Sequence, residues 1–224
     1  MEVHAAAATH VGHVRDSNED SVHAGEAVYA VADGLGGHAA GEVASAIAVA
    51  TVAGLDEGGL GHDQEEARSA LVEAVRQANR AVHHDARRNA AHEGMGTTLT
   101  VAAVHNGSLL IAHVGDSRAY LLRQGRARQL TTDHATGPFT LTRVVGLEPE
   151  VAVDSYNPVP LQDGDAVLLC SDGLTAVVTD DELAGLLRDR RPREAADVLV
   201  KETLARGAPD NVAVVVLAVG DADR

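Results

Sequence analysis

The sequence has no tryptophan, one phenylalanine and three tyrosines, so large rings cannot dominate its core. Alanine, valine and leucine must fill the interior, which requires helices and strands to approach closely. A single cysteine, Cys170, excludes an intrachain disulfide framework and suits a reducing compartment. No apolar run reaches the ~18 residues of a membrane span, and Met1 to His10 lacks the basic and apolar regions of a secretory leader. Positive charge is scarce as well: 18 lysines and arginines face 33 aspartates and glutamates, a formal charge of -15. A field of that sign opposes both nucleic acid and anionic membrane. No stretch is rich enough in proline, glycine or serine to divide the chain. The expectation is one cytoplasmic domain over residues 1–224, monomeric and not inserted in a membrane.

The patterns that are present alternate between two periods. Ala5 to His13 has weak strand character and leads into the polar run Arg15-Asp16-Ser17-Asn18-Glu19-Asp20, which by itself reads as solvated surface. Val28 to Ala32 is an apolar run that stops at Asp33-Gly34-Leu35-Gly36-Gly37-His38. A helix follows, with Val43, Ile47, Val52 and Leu55 near one face. A longer helix is capped by Asp63 and carries Ala67, Leu71, Ala74, Val75, Ala78 and Val82 at three and four spacing. The pattern then becomes extended. Thr97 to His105, Asn106-Gly107 and Ser108 to Val114 form a type I′ hairpin signal, and Arg118 to Leu130 repeats it through Gln124-Gly125. Thr131 to Leu147 is unpatterned and reads as a loop. Val151 to Tyr156 and Asp165 to Cys170 read as strands, and Cys170 as a small buried strand residue. Thr179 to Glu182 matches a capping box, Pro192 opens a last helix that Gly207 and Pro209 close, and Val212 to Val219 is a central strand. Strand runs with helices in separate pairs predict an α+β fold built as a layered sandwich.

Three predicted strands end alike, at Asp33-Gly34, at Gly115-Asp116-Ser117 and at Ser171-Asp172-Gly173, while Asp210-Asn211 begins the last strand. Each aspartate alone is an ordinary turn residue. The repetition favours a shared site: if the last strand is antiparallel to its neighbours, all four carboxylates lie at one sheet edge. Close carboxylates cannot all stay ionised without raised pKa values or bound cations. An all-oxygen donor set without zinc-type Cys/His spacing points to Mg²⁺ or Mn²⁺, and two such ions can acidify a water for attack on a phosphoryl group.

These residues resemble the bacterial metal-dependent Ser/Thr protein phosphatases of the protein phosphatase 2C group. Arg15 with Asn18-Glu19-Asp20, Asp33 to Glu42, Gly96-Thr97-Thr98, Gly115-Asp116-Ser117-Arg118, Ser171-Asp172-Gly173 and Gly207 to Asn211 follow the family order along nearly the whole chain. The resemblance implies a four-layer α-β-β-α sandwich, two antiparallel sheets flanked by helix pairs, with a centre of two Mn²⁺ or Mg²⁺ ions. It implies Asp33 as the ligand common to both ions, the Gly34 carbonyl beside it, and Asp172 and Asp210 completing the set. Asp116 with Asp172 matches a third, weaker ion site. Glu19, Asp20 and Asn211 match groups behind the ligands, and Arg15 matches the phosphate-binding arginine. His38 is the candidate acid for the leaving alkoxide; the other eleven histidines read as exposed or structural. The implied reaction is in-line attack of a metal-activated hydroxide on phosphoserine or phosphothreonine.

One departure stands out. Between Asp133 and Arg143 the chain has only a short loop where most bacterial members insert a flap, so a more open cleft is expected. The implied partners are phosphorylated proteins, in opposition to Ser/Thr kinases. Two alternatives are a dedicated phosphatase of one phosphoprotein, as in sigma-factor pathways, and a metal-binding pseudophosphatase that only recognises a partner.

Overall fold

The computed structural model describes residues 1–35, 40–137 and 140–220. In chain order the elements are β1 (Val3–His10), β2 (Asp20–Ala24), β3 (Val28–Leu35), α1 (Gly41–Ala53), α2 (Leu55–Gly58), α3 (Gln64–Arg88), β4 (Gly96–Thr97), β5 (Leu99–His105), β6 (Ser108–Val114), β7 (Arg118–Arg123), β8 (Arg126–Gln129), β9 (Asp154–Ser155), β10 (Val159–Pro160), β11 (Ala166–Cys170), α4 (Asp172–Thr175), α5 (Asp180–Leu187), α6 (Pro192–Ala205) and β12 (Val212–Val219). A five-stranded sheet runs β1-β12-β11-β7-β8; a seven-stranded one runs β10-β6-β5-β3-β2, with β4 on β3 and β9 on β6. Every pairing is antiparallel.

Alternation along each strand builds three apolar layers. Ala30 and Ala32 face α1 and α3, while Tyr29 and Val31 face the opposite sheet. Leu168 and Cys170 face α5 and α6, while Val167 and Leu169 join the layer between the sheets. This is the expected α-β-β-α sandwich. Small side chains make it possible: α1 buries Ala44, Ala48 and Val49 along with Val52. The face expected from Val43, Ile47, Val52 and Leu55 does cover this core: Val52 is buried, and the half-buried Val43, Ile47 and Leu55, the last on the separate α2, pack against it.

The local signals act as their chemistry requires. Asp63 accepts from the backbone N–H groups of Glu65 and Glu66 at 2.9 Å, a cap worth about 1 kcal/mol. Thr179 and Glu182 form the capping box, and Asn106 and Gly107 take φ of 48° and 77°, as a type I′ turn demands. Two strands differ from expectation. Val151 to Tyr156 pairs only at Asp154–Ser155. The polar run at Arg15 to Asp20 does not simply precede β3, because Asp20 opens β2, which makes a hairpin with it.

A carboxylate cluster between the two sheets

Asp33 lies inside β3, not at its end, because β4 holds Gly34 and Leu35 in register with Thr97 and Gly96. Its side chain has the parity of Tyr29 and Val31 and points between the sheets. Asp20 is its register partner on β2 and has the parity of Val22, which packs into the same inter-sheet layer. From the other sheet, Ser171 continues the inward row of β11 and donates to Asp20 Oδ2 at 2.7 Å. Asp172 follows it, and Asp210 precedes β12, the antiparallel neighbour of β11. The carboxylates therefore meet across two sheets instead of along one edge, as the sequence alone suggested.

The backbone around Asp33 is fixed on both polar groups. Its N–H donates to Thr98 Oγ1 at 2.9 Å, and its carbonyl accepts from the Thr98 N–H and from Thr97 Oγ1, each at 2.9 Å. Thr97 and Thr98, which in the sequence could simply start a strand, are thus the residues that hold Asp33. Gly34 and Gly41 let two chain segments approach: a β-carbon on Gly34 would lie 2.1 Å from the Gly41 carbonyl oxygen, and one on Gly41 would lie 2.0 Å from Glu19 Oε2.

Burial and mutual repulsion shape the electrostatics. Burial, then the charges of Asp20, Asp172, Asp210 and Asp116, push the Asp33 carboxyl well above its ordinary range. Asp20 is pushed up to about 7, chiefly by burial, and Asp116 to about 6 by burial and then Asp172. Asp172 is raised by burial and then by Asp210, and Glu19 by burial and then by Glu42. Asp33 lies close enough to Asp20 and Asp172 to share protons with them. Asp20 Oδ1 and Glu42 Oε2 are buried with no hydrogen-bond partner among the described residues, a state that a proton, a water or a cation relieves.

Two arginines oppose this rise at Asp172, Arg15 and then Arg118, and Arg15 stands exposed at the rim. Arg15 Nη2 donates to Asp210 Oδ2 at 2.7 Å. Asn211 ties the segment down: its Oδ1 accepts from the Glu19 N–H at 2.8 Å, and its Nδ2 donates to the carbonyls of Val11 and Ser17 at 2.8 and 2.9 Å. Asp33, Gly34, Asp20, Asp116, Asp172, Asp210, Arg15, Glu19 and Asn211 thus belong to one region; His38 lies outside the described residues. Sequence reasoning gave no role to Glu42 or Ser171, although both lie in segments that carry the resemblance, Asp33 to Glu42 and Ser171-Asp172-Gly173.

The donor set is carboxylate and carbonyl oxygen, which suits Mg²⁺ or Mn²⁺, and the orphaned Asp20 oxygen fits such an ion nearby. Among the described residues, no three Asp, Glu, His or Cys side chains stand as a ready-made cage. In this arrangement burial and mutual charge raise the carboxyls of Asp20, Asp33 and Asp172, and Asp210 is paired with Arg15. The donors are gathered but not preset.

Residues 9–207 match the pattern of the family described as Protein phosphatase 2C. The chain is 38% identical to the serine/threonine protein phosphatase PstP of Mycobacterium tuberculosis over 238 aligned positions, covering 97% of the chain but 45% of the relative. It thus spans about half the length of that relative. The serine/threonine phosphatase stp of Listeria welshimeri is 35% identical over 96% of the chain and 95% of its own length. Among solved structures, the catalytic domain of PstP in complex with two manganese ions superposes with a TM-score of 0.87 at 39% identity, covering 98% of this chain and 99% of that one. PppA, a regulatory component of the type VI secretion system of Pseudomonas aeruginosa, gives 0.89 at 32% identity, covering 97% and 98%.

Proposed function

The chain belongs to the protein phosphatase 2C family, and from that premise we propose that it is a metal-dependent phosphatase acting on phosphoserine and phosphothreonine in proteins. The observation that carries the reading is the set of carboxylates gathered between the sheets, Asp20, Asp33, Asp116, Asp172 and Asp210, where burial and the neighbouring charges raise the carboxyls of Asp20, Asp33, Asp116 and Asp172. Asp33, the Gly34 carbonyl, Asp172 and Asp210 would hold two Mn²⁺ or Mg²⁺ ions, and Asp116 with Asp172 a third, weaker one. When bound, the ions supply a water acidified toward neutral pH and positive charge that offsets the phosphoryl oxygens.

The chain's own residues bind and orient. Arg15 engages Asp210 through Nη2; once that nitrogen leaves Asp210, it can fork with Nε or with Nη1 onto two phosphate oxygens. Moving Arg15 from Asp210 to the substrate also frees that carboxylate. Glu19, Asp20 and Asn211 hold the ligand-bearing segments in place through the contacts above. His38 is the proposed proton donor to the leaving alkoxide. Opposition to Ser/Thr kinases is the proposed cellular role.

A second reading, a phosphatase dedicated to one phosphoprotein, is favoured by the compact segment beside the site. On either side of residues 138–139, which lie outside the described residues, the chain is joined by the Ala135–Leu141 bridge and a Thr142 N–H to His134 carbonyl bond of 2.8 Å. The alignment with PstP has more positions than this chain has residues, so that relative carries residues this chain lacks. A binding module without turnover is disfavoured, since it would bear the carboxylate repulsion to no purpose. The test is Mn²⁺-dependent hydrolysis of p-nitrophenyl phosphate and of a phosphothreonine peptide, with Asp33→Asn and Asp172→Ala as controls. Metal-dependent activity on both, absent from the variants, is expected; metal binding without turnover would select the binding module.

A further inference from the structure

The turn that carries Asp116 is clasped from every side, and one clasp lies outside the family motifs discussed above. Ser117 Oγ meets Thr98 Oγ1 at 2.8 Å, and the Ser117 carbonyl accepts from Thr100 Oγ1 at 2.9 Å. Gly115 takes φ of +112°, and a β-carbon there would lie 2.6 Å from the Thr98 side chain. Both polar groups of the Gly115 backbone go to His134. Its N–H donates to His134 Nδ1 at 3.1 Å, and its carbonyl accepts from the His134 N–H at 2.7 Å.

This pattern sets the imidazole tautomer. Nδ1 accepts from Gly115, so Nε2 carries the proton, with Asp154 Oδ2 3.2 Å away to accept it; Arg143 Nη1, although 3.1 Å from Nε2, then donates to Asp154 and not to that protonated nitrogen. Arg143 pairs with the other oxygen of Asp154 through Nη1. The buried His134 ring packs on His113, with centroids 4.7 Å apart. His113 faces Thr100 Oγ1 through Nδ1 at 2.9 Å. Because that hydroxyl already donates to Ser117, His113 donates to it. Two histidines thus brace one turn: His113 through Thr100 to Ser117, and His134 directly to Gly115.

We infer that His134 is a positioning residue for Asp116: it locks the Gly115 backbone and ties the turn to the Asp154–Arg143 pair, fixing where the Asp116 carboxylate stands. Residues that orient a ligand from behind change metal affinity by about 10- to 100-fold when lost. The inference rests on the proposed metal centre, and its test separates the two. Mn²⁺ binding to the purified chain is followed by electron paramagnetic resonance of the free ion, beside metal-free thermal melting. Wild type is expected to show tight binding and a weaker phase. His134→Ala should weaken only the weaker phase, by about tenfold, and Asp154→Asn should move it in the same direction by less. His134→Asn, whose side-chain oxygen can replace Nδ1 as acceptor for Gly115, should restore much of it. A His134→Ala isotherm that overlays wild type, or equal weakening of all phases with a lowered melting temperature, would overturn the positioning role. If His134→Ala does not fold, an Asp154→Asn isotherm identical to wild type overturns it instead. No Mn²⁺ binding by wild type would overturn both the metal centre and the inference.

Discussion

The two ends of β11 carry buried carboxylates in opposite circumstances. At its start, Asp165 is held by Arg123 through Nε at 2.8 Å and Nη2 at 2.6 Å, and by the Gln162 N–H at 2.8 Å. At its end, Asp172 sits with Asp33, Asp20 and Asp210, where the one direct ion pair among the described residues is Arg15 on Asp210 at the rim. The fold can neutralise a buried carboxylate with its own arginine and does so where the role is structural. At the cluster no such arginine faces Asp33 among the described residues, as the proposed binding of cations there requires, and burial and mutual repulsion raise the carboxyls.

The comparison can be broken most directly by exchanging the two kinds of site. Asp33→Asn should reduce Mn²⁺-dependent phosphatase activity by more than the roughly 100-fold that loss of a group behind a ligand costs. The same change should leave the metal-free chain as stable as wild type or more so at pH 7, because it removes a repelled charge. Asp165→Ala should do the reverse. It leaves Arg123 unpaired and removes the acceptor of the Gln162 N–H, at a cost of about 2 kcal/mol in urea melts, while activity per folded molecule stays at the wild-type level. Equal stability losses for both variants would remove the distinction.

Acidity sharpens the same contrast. Asp20 at about 7 and Asp116 at about 6 are raised from an ordinary 3.8, so the folded chain keeps protons that the unfolded chain has already lost. Their contribution is therefore most favourable below about pH 4 and declines as pH rises through about 6 and 7. Carboxylates held low by arginine, such as Glu182 at about 2, titrate below that window. In chelator, the melting temperature should fall between about pH 5 and 7, and saturating Mn²⁺ should reverse the fall. A metal-free melting temperature that rises over that window would contradict the assignment. The smallest effect belongs far from the cluster: Asp63→Ala should cost about 1 kcal/mol through the lost cap of α3, seen in urea melts, with activity unchanged.

How much of this was legible depends on how local each signal is. Asp63, the Thr179 capping box and the Asn106-Gly107 turn are written in a few adjacent residues, and the structure carries them as read. The aspartates at strand ends were visible as a repeat, because each interrupts an apolar run. What was hidden is what depends on pairing at a distance. β2 looked like polar surface because Asp20 gains its burial only when it pairs with Asp33 and receives Ser171 from the other sheet. The buried face of α1 was read only in part: Val43, Ile47 and Val52 pack on the core as expected, but Ala44 and Ala48 give a weaker apolar signal, although small residues are what allow the close approach to β3. His134 carried no signal at all, since its partners Gly115 and Asp154 are 19 and 20 positions away.

The central claim is that the cluster is completed by cations from outside the chain, and anomalous diffraction from a crystal equilibrated with Mn²⁺ tests it most directly. The account predicts two strong peaks against Asp33, Asp172 and Asp210, with Arg15 withdrawn from Asp210. Manganese bound elsewhere, with these carboxylates still sharing protons and Arg15 still on Asp210, would contradict it.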